Sequence, residues 1–256
     1  MKNVLITAAS KGIGFEICKK LALAGYNLLM ISNNIENLKK AKAKIKLINK
    51  LVCCHIFSTD LTNLAKSQNI FKKIKDKHSV DIVINNFGGY HSKNNKKIID
   101  FKNFKHLLDS NLSCSYLAIS TFIDHMIKKK WGRVITISSS VNQTNEGQLN
   151  YNLAKSAQVI LMKNLSAKKL YLDNNITFNA ISPGAILTQS SKWYKISKKN
   201  PILYKKILKK NFPMGIGTPS DVADFVILLC SDKGKYINGS NIVIDGGRSN
   251  FKSSLI

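Results

Sequence analysis

Tyr151 and Lys155, in the run Tyr-Asn-Leu-Ala-Lys, carry a phenol and an ammonium four residues apart. On a helix that spacing puts both on one face, one turn apart. A free tyrosine titrates at about pH 10. A neighbouring cation stabilises the phenolate, so the pair is expected to lower the Tyr151 pKa. Tyr151 could then exchange a proton with a carbonyl or alcohol oxygen near neutral pH. The same spacing also decorates many surface helices, so other elements must support the reading.

The segment Thr7-Ala8-Ala9-Ser10-Lys11-Gly12-Ile13-Gly14 offers such support. It follows a short apolar run and opens a helical pattern. Gly12 and Gly14 allow a tight turn and close approach to a pyrophosphate. The helix behind them presents N–H groups and the positive end of its dipole. At the end of the second apolar run stand Ser32, Asn33 and Asn34. NAD sites usually carry Asp or Glu there, to accept from the ribose hydroxyls. No carboxylate repels a 2′-phosphate here, and Lys11 could attract one. The expected cofactor is NADP(H) rather than NAD(H).

The elements that would position these groups follow from periodicity. Val4–Thr7, Leu28–Ile31, Leu51–Phe57, Asp81–Asn85, Arg133–Ser138, Ile176–Ile181 and Ile242–Ile244 read as strands. Helical patterns cover 12–24, 35–49, 63–77, 101–129, 149–172 and 219–230, with an irregular stretch before the last. Strands alternating with helices predict an α/β fold: a single Rossmann-type, doubly wound parallel sheet flanked by helices on both faces. With no internal repeat and no linker, 1–256 reads as one domain.

Composition narrows the classes. The formal charge is +26, from 40 Lys+Arg against 14 Asp+Glu. The excess is nearly all Lys, without interleaved aromatics or a recognisable module, so no nucleic-acid partner is expected. Cys18, Cys53, Cys54, Cys114 and Cys230 show neither Cys-x-x-Cys nor zinc spacing. They read as small buried hydrophobes, and no metal is expected. No apolar run reaches the roughly 18 residues of a membrane span. The first residues lack a signal-peptide pattern, so the expected compartment is the cytoplasm.

Taken together, these motifs resemble the short-chain dehydrogenase/reductase family. Its glycine motif is Thr-Gly-x-x-x-Gly-x-Gly, and Ala8 replaces the first Gly. The resemblance implies a cofactor site built from Thr7, Ser10, Lys11, Gly12, Ile13 and Gly14, with Asn33 after the second strand. Asp60 and Leu61 follow the third strand, where the family's Asp contacts the adenine. Asn85-Asn86-Phe87-Gly88 is similar to the family's Asn-Asn-Ala-Gly, with Phe87 larger than usual. Lys155 would hold the nicotinamide ribose. Pro183, Gly184, Ile186 and Thr188 form the Pro-Gly turn that passes the nicotinamide.

The same resemblance implies a catalytic Ser after the fifth strand. Counting from Gly132-Arg133 points to Ser139, and counting back from Tyr151 points to Ser138. The strand register favours Ser139. Asn111 is the fourth catalytic member, implied to lie in a kinked helix whose carbonyl holds a water in a proton relay to Lys155. Residues 189–213, with Trp193, Tyr194, Pro201 and Tyr204, occupy the place of the substrate lid. Pro213-Met214-Gly215 and Ile242–Gly247 complete the likeness. The family commonly pairs its two long helices and C-terminal strands, so a homotetramer or homodimer is expected.

Three readings of function follow. The first is reduction of a small-molecule or carrier-bound carbonyl to a secondary alcohol, as in 3-oxoacyl-[acyl-carrier-protein] reductases. Lys128-Lys129-Lys130 would face an acidic carrier, although Asp173 and Asn174 replace a second basic position. The second is a sugar, polyol or nucleotide-sugar dehydrogenase using the same residues. The third is a nucleotide-binding regulatory protein, against which the intact Ser–Tyr–Lys set argues.

Overall fold

The computed structural model describes residues 1–89, 98–144, 147–212 and 214–250. Seven parallel strands form one sheet in the order β3-β2-β1-β4-β5-β6-β7. They are β1 (Asn3–Thr7), β2 (Asn27–Ser32), β3 (Cys54–Ser58), β4 (Ile82–Asn85), β5 (Gly132–Ile137), β6 (Ile176–Pro183) and β7 (Asn241–Ile244). The central strands are buried on both faces, which is why they read as nearly continuous apolar runs.

Alternate residues divide two apolar layers. Val4, Ile6, Leu28, Met30, Ile82 and Ile135 pack against α1 (Gly12–Leu23), α2 (Ile35–Ile48) and α10 (Pro219–Cys230). Leu5, Leu29, Val83, Val134 and Phe178 face α3 (Leu64–Lys75), α5 (Cys114–Lys129) and α6 (Leu149–Ser166). The strand order reverses between β1 and β4. A crevice therefore opens at the carboxyl ends of the strands, the usual ligand position in such sheets.

Three expectations about the helices need correction. The predicted helix over 101–129 is α4 (Phe101–Leu108), a π-helical turn (Asp109–Ser113) and α5. The wider turn lets the Asn111 side chain reach Gly89 while the chain direction is kept. The predicted helix over 149–172 is α6 followed by the short α7 (Lys169–Leu172). The stretch expected to be irregular holds α8 (Lys192–Lys199) and α9 (Pro201–Asn211). Ser191 and Asn200 cap these helices by accepting from Tyr194 N and Leu203 N. Trp193 meets Phe212 edge to face, with centroids 5.0 Å apart. The ends of this insertion are tied together by Leu187 N to Gly217 O and Gly217 N to Ala185 O. Pro213, where the predicted lid ends, lies outside the described residues. None of the described helices is long and apolar enough to cross a membrane.

Candidate active site

The glycine loop turns from β1 into α1 with Gly12 at φ +59° and Ala8 at φ +52°. Gly14 is sterically required: a Cβ there would lie 2.3 Å from the Ala8 carbonyl oxygen and 2.5 Å from Asn86 Nδ2. Ala8 occupies the left-handed region, where an L-residue is disfavoured by roughly 1–2 kcal/mol. Ala8→Gly is therefore expected to stabilise the fold by about 0.5–1 kcal/mol, after allowance for the added freedom of the unfolded chain. Urea unfolding with an unchanged m-value would show the gain, and a lower midpoint would refute it.

The N-terminus of α1 has no side-chain cap and no acidic residue in its first turn. It opens into a cavity of about 370 Å³ that also contains Tyr151 and Lys155. An uncapped helix end with tight glycine geometry suits a dinucleotide pyrophosphate. Lys11, Gly12, Ile13, Asn86 and Gly88 line this cavity, as do Pro183, Gly184, Ile186 and Thr188.

A second groove of about 630 Å³ continues beyond Gly12, with Ser10, Lys11, Asn37, Lys40 and Lys44 on its walls. Ser10 and Ser32 share a hydrogen bond of 2.8 Å at its floor. Glu16 also lies there, paired with Lys19 at 2.7 Å.

Other expected cofactor residues take different positions. Thr7 is buried beneath the loop, where its hydroxyl accepts from Asn86 N and Phe87 N. Asn85 is buried and donates to Thr136 Oγ1. Asp60 is exposed and holds Thr62 N and Oγ1 at 3.0 and 2.7 Å; those hydrogen bonds lower its pKa. Leu61 is buried. Asn33 is exposed beside Asn34, the cap of α2. Thr7, Asn33, Asp60, Leu61 and Asn85 line neither cavity.

The catalytic candidates converge at the inner end of the first cavity. Ser139 stands at the end of β5 and is hydrogen-bonded to the Tyr151 phenol. Ser138 is engaged elsewhere: its hydroxyl donates to the Lys155 carbonyl at 2.9 Å and accepts from Asn142 Nδ2 at 3.2 Å. Asn142 also donates to Ser182 Oγ, and Ser182 donates to Asn241 Oδ1. This partly buried chain ties the Ser138–Ser139 turn to β6 and β7.

Lys155 is buried, and its Nζ donates to Ile137 O and Gln158 Oε1, each at 3.0 Å. It sits 5.7 Å from the centre of the Tyr151 ring. Burial lowers the Lys155 pKa to about 7.

The expected lowering of Tyr151 does not occur in this arrangement. Burial pushes the phenol above its ordinary value, and Ser139 offsets part of the rise. Desolvation of the phenol is the larger effect, and Lys155 Nζ meanwhile donates to Ile137 O and Gln158 Oε1.

Asn111 is fully buried at the centre of the π-turn. Its Oδ1 accepts from Gly89 N at 2.9 Å, and its Nδ2 donates to Leu107 O at 3.0 Å. It therefore pins the Gly88–Gly89 loop beneath Lys155. A Cβ on Gly88 would fall 2.5 Å from Asn111 Oδ1. The Asn111 carbonyl accepts from Ser115 Oγ and Gln158 Nε2, each at 2.7 Å. The sequence reading passed over Gln158, Ser115 and Asn142. A polar residue on the inner stripe of α6 was the available signal for Gln158.

With this geometry established, the comparisons are specific. A family model described as enoyl-(acyl carrier protein) reductase matches residues 7–249. The chain is 34% identical over 251 residues to 3-oxoacyl-[acyl-carrier-protein] reductase FabG of Buchnera aphidicola, covering 96% of each chain. It belongs to the short-chain dehydrogenase/reductase family.

Solved structures share its fold. The structure titled YwfH, an NADPH dependent reductase involved in bacilysin biosynthesis, has a TM-score of 0.87 at 24% identity and 99% coverage of both chains. A Brucella melitensis 3-oxoacyl-[acyl-carrier protein] reductase with bound NAD has a TM-score of 0.82 at 22% identity, over 97% of this chain and 91% of that one. The two titles name different cofactors, so structural likeness does not choose between them. The family assignment makes the chain a dehydrogenase/reductase of the short-chain class.

Proposed function

We propose that this protein is an NADP(H)-dependent reductase that converts a 3-oxoacyl thioester to the 3-hydroxy product. The observation that carries the reading is the Ser139–Tyr151 hydrogen bond beside a buried Lys155. When bound, the reduced nicotinamide supplies a hydride to the carbonyl carbon. Tyr151, kept in its phenol form by burial, donates its proton to the carbonyl oxygen. Ser139 hydrogen-bonds the same oxygen and stabilises its developing charge. Lys155 holds the nicotinamide ribose with the proton not committed to Ile137 or Gln158. A tyrosine that remains an acid at pH 7 favours reduction.

The groove beyond Gly12 supports a 2′-phosphate. Lys11, Lys40 and Lys44 line it, and its carboxylate, Glu16, is already paired. Lys11→Ala is expected to raise KM for NADPH about tenfold, the order of a lost hydrogen bond to a charged group, and to raise KM for NADH far less. Equal loss with both cofactors would contradict the assignment.

The named relatives and the lid support a carrier-bound thioester. Residues 189–212 carry Lys192, Lys195, Lys198, Lys199, Lys205, Lys206, Lys209 and Lys210 without an acidic residue. They would attract an acidic carrier. Lys128, Lys129 and Lys130 are all exposed at the end of α5, but Lys129 is paired with the buried carboxylate of Asp81.

The whole chain is read as one nucleotide-binding domain in a cytoplasmic enzyme, with no nucleic-acid or membrane partner. A cleft of about 960 Å³ between α5 and α6, with Tyr116 and Ile160 exposed beside it, is proposed as the seat of a second copy in a dimer or tetramer.

A substrate screen tests the function. Acetoacetyl thioester with NADPH should be consumed at least tenfold faster than any sugar, polyol or enoyl thioester at equal concentration. Turnover confined to sugars would replace the proposal with the dehydrogenase reading.

A further inference from the structure

Gln158 is fully buried on α6, three residues after Lys155. Its Oε1 accepts from Lys155 Nζ at 3.0 Å. Its Nε2 donates to the Asn111 carbonyl at 2.7 Å and to Ser115 Oγ at 3.2 Å. Ser115 Oγ also donates to that carbonyl, so both lone pairs of the Asn111 oxygen have donors within the protein.

We propose that Gln158 is a positioning residue, fixing Lys155 to the π-turn through its amide and occupying the link between Asn111 and the ammonium where a relay water would have to sit. The turnover consequences rest on the reading of Tyr151 and Lys155 given above. The positioning itself rests on geometry.

Burial alone would favour an apolar side chain at this position. A buried amide is costly unless its hydrogen bonds are made, and here three are made. The orientation is informative. The amide presents an acceptor to the ammonium, which favours the charged form of Lys155 against its desolvation. Two of the three ammonium protons are committed to Ile137 and Gln158, leaving one for a ligand in the cavity. A carboxamide carries the hydrogen-bond chain from Asn111 to Lys155 but passes no proton along it. Lys155 then acts as a fixed hydrogen-bond donor, and Tyr151 regains its proton from the cavity side.

The groups facing Lys155 make it a clean reporter. Tyr151 on the same helix is titratable and Lys11 lines the same cavity. The end of β5, the Gly88 loop and the π-turn with Ser115 bring uncharged groups.

The test is a titration of Lys155 in the full chain, which needs no turnover. Lysine is labelled with ¹³C at Cε, and the Lys155 resonance is assigned by its loss in Lys155→Arg. Gln158→Leu keeps the bulk but removes the acceptor, and is expected to move the midpoint down by about one pH unit or more. Gln158→Glu keeps an acceptor and adds a charge, and is expected to move it above the wild-type value. At pH 7 the Leu variant should also lose about tenfold in kcat, with KM for the carbonyl substrate little changed.

Identical midpoints in the three proteins, or shifts of one sign in both variants, would show that Gln158 only fills space. Should the Leu variant not fold, an unchanged or lowered midpoint in the Glu variant would overturn the proposal and a raised one would support it. If the midpoints move as expected but the wild type reduces no carbonyl, the positioning stands and the functional reading falls.

Discussion

Tyr151→Phe is expected to lower kcat by ~10²–10⁴-fold, the usual contribution of a general acid. Phe keeps the ring and its packing, and removes only the hydroxyl that meets Ser139. Dissociation constants for NADPH should change by less than about threefold, because the loop, the α1 terminus and Lys155 are untouched. The effect should therefore fall on kcat and kcat/KM together, the signature of an interaction made in the transition state. Melting temperature should hold or rise slightly, since a buried polar group has been removed. A Phe variant retaining more than about a tenth of wild-type turnover would show that another group donates the proton.

The strands and the glycine loop were legible because each depends on neighbouring residues. A strand buried on both faces must be apolar along its length, so Val4–Thr7 and Ile82–Asn85 announce themselves. The choice of Ser139 over Ser138 followed from strand register, and the structure brings Ser139 to Tyr151 while Ser138 holds the Lys155 carbonyl.

The unread features are those in which distant residues compete for one atom. Four-residue spacing brings Lys155 near Tyr151, but Ile137 and Gln158 decide where its protons point. The link from Gln158 to Asn111 joins residues 47 apart in sequence. The π-turn needs Gly89 as partner for the Asn111 side chain. Helices α8 and α9 were hidden because their lysine-rich segment holds few apolar residues. Their signals were local: the caps Ser191 and Asn200, and Pro201 in the first turn of α9.

The Lys155→Met exchange should separate activity from stability in opposite directions. Turnover is expected to fall by ~10²-fold or more, the scale of removing one essential donor from a preorganised site. Stability should rise below neutral pH. In the fold Lys155 titrates at about 7, against an ordinary value of 10.5. Between those values the unfolded chain holds a proton that the folded chain has released, so unfolding becomes harder as pH rises through that window. Below pH 7 the native state carries the full penalty of a buried cation, on the order of 5 kcal/mol as an upper limit. Met removes that penalty but leaves the Ile137 carbonyl and Gln158 Oε1 without the donor they held, at about 1–3 kcal/mol each. The net gain at pH 6 is expected to be up to about 3 kcal/mol. It should shrink as pH approaches 10, where wild-type Lys155 is neutral in the fold and nearly unburdened. Urea unfolding of both proteins at pH 6 and pH 10 reads this directly. A Met variant less stable than wild type at pH 6 would mean that the two hydrogen bonds outweigh the buried charge. Lys155 would then be a structural anchor as well as a catalytic one.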